Sequence, residues 1–333
     1  MRGVNLDLFD FDFDLTWAAF FLGPDETVYG RYGGRDATSP DSRMSLAGLH
    51  YAMTEALAAH RSKSEDGRSK IEGRGSKIDH NQDDFRSSTI DRYAAAQRRA
   101  ADSCIHCHQV YDARREWLQT TGKWRLDEVW VHPLPENIGL TLNVDQGNRV
   151  QAVAKESAAD RAGLRTGDRL QSVNGIAVAS IADVQYGLQR APAEGEIPLA
   201  WLREGRLIAA RMNVSKGWRK TDISWRWSLR GLEPTPGVQG EDLSSEEKAK
   251  LGLNEKQLAF YQGAFLSISA RQAGIRANDI ILGVDNKQLD MTARQFQAFV
   301  RLNYKLGDRI IYNILREGRR LDLPLTLVAR PPS

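Results

Sequence analysis

The sequence predicts an α+β multidomain protein, and three observations carry that reading. The run Ala162-Gly163-Leu164-Arg165-Thr166-Gly167-Asp168-Arg169-Leu170 returns as Ala273-Gly274-Ile275-Arg276-Ala277-Asn278-Asp279-Ile280-Ile281, at an offset of 111 residues. Each copy ends in a strand, a Glu-Gly turn and another strand, Leu202-Arg203-Glu204-Gly205-Arg206 and Leu315-Arg316-Glu317-Gly318-Arg319. A polar stretch from Arg61 to about Ser88 separates these copies from a strand–helix pattern at the N-terminus. An internal repeat of this kind marks one supersecondary unit used twice.

The chain of 333 residues has room for two or three domains of roughly 100–150 residues. Its apolar fraction of 41% can fill their cores. The 46 basic and 43 acidic residues nearly cancel, which argues against nucleic acid or an anionic membrane as the main partner. The longest apolar run, Trp17 to Leu22, is far too short for a transmembrane helix. Met1-Arg2-Gly3 leads into a segment without the apolar core of a signal peptide. The expectation is a cytoplasmic protein or one whose true start lies upstream.

The first region spans residues 4–62. Leu6 to Phe13 alternates apolar and acidic residues, as a half-buried strand does. Thr16 to Leu22 and Thr27 to Tyr32 read as two strands around the turn Gly23-Pro24-Asp25-Glu26. Ser45 opens a helix with Leu46, Leu49, Met53 and Leu57 at helical spacing. This order resembles the C-terminal half of a thioredoxin-like domain, and the resemblance implies a partial α/β segment.

Residues 63–88, rich in Ser, Gly, Lys and Asp, are expected to be a flexible linker. Ile71-Glu72-Gly73-Arg74 within it matches a processing-protease site, to which no function is attached. Residues 89–130 contain the helix formers Ala94-Ala95-Ala96, Arg98-Arg99-Ala100-Ala101 and Ala113 to Leu118. Between them lies Cys104-Ile105-His106-Cys107-His108, which holds both cysteines of the chain and excludes a disulfide framework.

Cys-x-x-Cys-His has the form of a haem c attachment sequence. Two thiols so spaced join the haem vinyl groups, and the next histidine, His108, supplies the iron ligand. One haem c is therefore expected on Cys104, Cys107 and His108. The candidates for the sixth ligand are Met44, Met53, His60, His80 and His132. Two alternatives stay open: a redox dithiol, and a zinc site drawing on His80, His106, His108 or His132. Haem c is attached outside the bacterial cytoplasm, so the motif favours the periplasm or cell envelope and admits a redox partner protein.

Residues 131–219 and 228–330 hold the repeats. The pattern small-Ala-Gly-Leu-x-x-Gly-Asp, then Val173-Asn174-Gly175, then a helix capped by Ser180, then strand–turn–strand, resembles PDZ domains of bacterial type. The second copy has Asn278 for Gly167 and Asp285-Asn286 for Asn174-Gly175, residues that tolerate the same left-handed turns. The stretch from Pro234 to Ser244 is similar to the PDZ modules of HtrA-type proteases. The resemblance implies two small β-barrel or sandwich domains that capture polypeptide C-termini or exposed strands. A ligand would add as a strand to a sheet edge, with its carboxylate on backbone N–H groups. The expected peptide contacts are Ile138, Gly139, Leu140, Thr141 and Leu142, with Val184 and Leu188 as the helix wall. In the second copy they are Gly237, Val238, Gln239 and Gly240.

The whole order resembles exported bacterial proteins of the planctomycete kind that combine thioredoxin-like and PDZ domains. The leading expectation is an adaptor of the cell envelope, with haem c for redox sensing or electron transfer. The alternatives are a thiol–disulfide oxidoreductase and an accessory protein of HtrA proteases. No Gly-x-Ser-Gly nucleophile is present, so the chain is not expected to be a protease itself.

Overall fold

The computed structural model describes residues 1, 3–65, 88–98 and 104–330. It divides into two compact units, Met1–Thr221 and Asp222–Ser333. The expected linker falls almost wholly outside the described residues, as does His80.

In the first unit, β1 (Ala18–Leu22) and β2 (Val28–Gly33) form an antiparallel hairpin, followed by α1 (Leu46–Glu65). Residues 6–13 are turns rather than the expected strand. The Asn5 side chain accepts from the N–H groups of Asp7 and Leu8, and this local turn outcompetes the alternation. Helix α1 also departs from expectation. Leu46, Met53 and Leu57 are exposed, whereas Gly48, Ala52 and Ala56 face inward. The helix lies so near its neighbours that a Cβ on Gly48 would sit 2.3 Å from the Val144 carbonyl oxygen. Only a small-residue face fits there.

Short helix α2 (Ala94–Gln97) and helix α3 (Gln109–Thr120) flank the cysteine motif. Leu6, Phe13, Ile90, Ala96, Ile105 and Val110 close a small core around it.

The first repeat begins with a 3-10 turn (Pro135–Ile138) and continues with β3 (Leu140–Leu142), β4 (Val150–Val153) and α4 (Ala158–Arg161). Then come β5 (Arg169–Val173), β6 (Ile176–Ala177), α5 (Ile181–Gln189), β7 (Gly195–Arg203) and β8 (Arg206–Val214). Strands β3 and β4 pair with each other, and the remaining four make a sheet in the order β6-β5-β7-β8. The expected barrel is absent: both sheets are open.

The second repeat has β9 (Gly240–Asp242), α6 (Ser245–Lys250), β10 (Phe260–Gln262), α7 (Ile268–Gln272) and β11 (Ile280–Val284). Helix α8 (Ala293–Asn303), β12 (Arg309–Arg316) and β13 (Arg319–Thr326) complete it. Its open sheet runs β13-β12-β11-β10-β9.

The repeats share their devices. Both Glu-Gly hairpins place two consecutive residues at positive φ, near 50° and 78°, which matches the twist of the strands they join. Arg203 clamps buried Asp168 with two contacts of 2.8 Å and donates to the Gly163 carbonyl; Arg316 does the same to Asp279 and Gly274. Apolar side chains, including Trp201 in the first copy and Phe260, Phe296 and Tyr312 in the second, fill each core.

Candidate functional site

Each repeat places a short strand beside a helix, with a glycine-containing loop at one end. In the second repeat, Gly263 donates to the Gln239 carbonyl and Leu243 to that of Ala259, so Gln239, Glu241 and Leu243 turn their backbone groups toward β10. By alternation, Gly240 and Asp242 turn theirs toward the outer edge. Among the described residues no strand pairs there. In the first repeat Ala154 donates to Gly139 and Asn143 to Arg149, so Thr141 faces β4 while Leu140 and Leu142 present their backbone outward.

The glycines serve the fold more than a ligand. A Cβ on Gly139, at φ +84°, would meet Ser157 Cβ at 2.1 Å, and one on Gly237, at φ +75°, would meet Ser267 Oγ at 2.5 Å. At Gly240 a Cβ would lie 1.6 Å from the Tyr261 carbonyl oxygen. Ile138, Leu140 and Leu142 bury their side chains in the core, as does Val238.

The helix wall differs from expectation. Val184 and Leu188 are fully buried in the core, because apolar residues at i and i+4 form the stripe that packs on the sheet. The polar residue beside them, Gln185, turns away from the sheet and donates to the His132 carbonyl. Its counterpart Gln297, on α8, donates to the outward carbonyl of Val238 at 2.5 Å. Sequence reasoning passed over both glutamines. Each stands five residues after its helix cap, Ser180 or Thr292, and that shared position was the available signal.

The loop end of the second repeat carries a buried cation. Arg301, 8% exposed, donates to the Gln297 carbonyl through one terminal nitrogen, and its Nε has no partner among the described residues. Burial and then Arg330 push its pKa down to about 10, with Glu233 opposing and Arg230 adding to the repulsion. Tyr312, beneath them, donates to the Pro236 carbonyl of the same loop.

The cysteine motif lies at the start of α3. Cys104 is exposed and Cys107 half-buried, and both thiols are free. The rings of His106 and His108 stack 5.9 Å apart. Cys107 Sγ lies 3.6 Å from Met1 Sδ. Of the candidate sixth ligands, Met53 is exposed on α1, His60 packs on Tyr29, and His132 Nε2 sits 3.7 Å from Asp10. Among the described residues no group of three or more His, Cys, Asp or Glu side chains is arranged to hold a metal ion. No described helix is long and apolar enough to cross a membrane.

Comparison with known proteins bears on the repeats. Residues 149–203 match the PDZ domain family. A protein of Haemophilus influenzae described as a "probable periplasmic serine protease do/HhoA-like" is 28% identical over 182 residues, 53% of this chain and 36% of that protein. The periplasmic pH-dependent serine endoprotease DegQ of Escherichia coli is 25% identical over 181 residues, 53% of this chain and 37% of DegQ. The chain thus spans little more than a third of the length of these relatives. The crystal structure of a serine endoprotease from Yersinia pestis aligns over 23% of this chain and 28% of its own, at 27% identity and a TM-score of 0.22. Residues 149–203 of this chain are a PDZ domain, set in a chain similar to HtrA-type periplasmic proteins over about half its length.

Proposed function

We propose that this protein is a polypeptide-binding adaptor of the cell envelope, and that its second repeat is also a PDZ domain whose groove lies between β9 and α8. The observation that carries the reading is the bare outer edge of β9, with the backbone of Gly240 and Asp242 turned toward it and the buried Arg301 guanidinium at its loop end. A captured chain end adds as a strand to that edge, and its carboxylate meets the excess positive charge of Arg301, Arg230 and Arg330 over Glu233. The periplasmic relatives support an envelope location.

The test is capture of decapeptides, randomised in their last four residues, as free acids and as C-terminal amides. Free acids should bind the full chain and amides should bind much less. Arg301→Gln should weaken free-acid binding about tenfold, roughly 1.4 kcal/mol, and leave amide binding unchanged. Equal capture of both forms would remove the carboxylate from the reading.

A second reading concerns the cysteine motif, favoured by one exposed and one half-buried thiol, neither in a disulfide, followed by an imidazole at the start of α3. This donor set fits haem c. Cys104 and Cys107 would hold the group and His108 would be its iron ligand, and the bound group would supply one-electron redox chemistry toward a partner protein. Protein exported alongside cytochrome c maturation enzymes should stay coloured after denaturation, and the double change Cys104→Ser, Cys107→Ser should abolish that colour. A colourless wild type would leave a dithiol pair. No redox step is assigned to the hairpin and α1.

A further inference from the structure

The segment from Gly30 to Gly48 contacts the helix wall of the first repeat and the residues flanking both ends of β3. On the helix wall, the Arg31 N–H donates to Asp183 Oδ1 at 3.0 Å, its guanidinium pairs with the same carboxylate at 3.4 Å, and Ser180 Oγ donates to the Arg31 carbonyl. The Arg31 guanidinium also lies 3.6 Å over the Tyr186 ring, a cation–π contact in a largely dry setting. Next along the segment, a Cβ on Gly34 would stand 3.4 Å from Gln185 Oε1. At the loop end, Arg43 donates to Glu136 at 2.7 Å. Beyond the far end of β3, Ser45 Oγ donates to Asp145 at 2.6 Å, and Gly48 abuts the Val144 carbonyl. Only Met44 separates Arg43 from Ser45, and their ties to Glu136 and Asp145 lie beyond the two ends of β3. The matching helix α8 of the second repeat bears no such segment among the described residues of its unit.

We propose that residues 30–48 are a built-in strap that occupies the first repeat's groove, so that the intact chain takes polypeptides through the second repeat alone and displacement of the strap uncovers a second peptide site. The backbone and guanidinium of Arg31 hold one end, and the side chains of Arg43 and Ser45 hold the other. These contacts total a handful of surface-type bonds plus one buried pair, so the strap can open without unfolding the repeat beneath it. The groove it covers keeps the outward backbone of Leu140 and Leu142, the feature that would make it competent once free.

The inference rests on the peptide-binding reading, and photo-crosslinking separates the two. The probe is the same free-acid decapeptide mixture carrying a photoreactive residue, applied to the full chain and to the variant Arg43→Ala, Ser45→Ala, Gly48→Val, with hydrogen exchange over residues 30–48 as the readout of release. Wild type should label residues 237–242 and 293–301 only. The variant should add labels at 138–142 and 181–189, at least tenfold above wild type. Labelling of the first groove in wild type at the variant's level overturns the strap. So does a variant whose strap exchanges freely while its first groove stays unlabelled. Absence of label at the second groove in every sample overturns the peptide-binding assignment there, and leaves the strap to be judged on the first groove. If the triple variant does not fold, Gly48→Ala with Arg43→Ala keeps the same comparison, since any Cβ at Gly48 meets the Val144 carbonyl.

Discussion

The two repeats have the same parts and different surroundings. Helix α5 lies under Arg31, the hairpin and His132, while among the described residues of its own unit α8 bears no such segment. Their outward glutamines show the consequence. Gln185 is committed to the His132 backbone, whereas Gln297 bridges to the loop of its own groove. Duplication preserved the fold-defining bonds, the Arg–Asp clamps and the Glu-Gly hairpins. The surfaces that decide whether a groove can accept a ligand diverged.

The largest expected effect would break the assignment of the helix wall. Leu188→Ala should cost the first unit about 2–5 kcal/mol, measured by urea unfolding followed through tryptophan fluorescence, and should leave peptide capture by the second repeat intact. A stable variant with altered peptide binding would return Leu188 to the groove.

A pH titration sharpens the contrast at Asp183. Burial, only partly offset by Arg31, raises its carboxyl to about 6, above its unfolded value. A raised carboxylate pKa means the folded state binds the proton more tightly, so the cost of burying the charge is present above pH 6 and is relieved as pH falls toward 4. Relative to Asp183→Asn, wild type should therefore gain about 1–3 kcal/mol between pH 6.5 and pH 4. A flat difference would mean that Arg31 holds the carboxylate ionised throughout.

The smallest effect compares the two helix caps. Ser180 and Thr292 each close a capping box, so either change to Ala should cost about 1 kcal/mol. Ser180 also donates to the Arg31 carbonyl, and its loss should cost roughly 1 kcal/mol more and raise hydrogen exchange in the hairpin. Equal costs at the two caps would show that the hairpin contributes nothing at this bond.

Much of this was legible from residue order because it is local. Glycine and Asn-Gly or Glu-Gly pairs fix turns through their own backbone preferences, Ser180 caps its helix from one residue away, and the offset of 111 residues exposes the duplication. The cysteine motif is equally local, and its surroundings are not: residue order gave no sign that Met1 would approach Cys107. The alternation in Leu6 to Phe13 misled because Asn5 turns the chain, and the apolar stripe of α1 misled because close packing at Gly48 demanded small residues instead.

The sequence by itself determined where the repeats lie and how their hairpins turn, since each depends on residues a short distance apart or on a pattern stated twice. Only the tertiary structure decided which groove is covered. Arg31 meets Asp183 across 152 positions and Ser45 meets Asp145 across 100, and no periodicity or motif encodes a pairing of that range. Such contacts form because a folded hairpin and helix must bury their inner faces, and the surface they found was the mouth of the first groove.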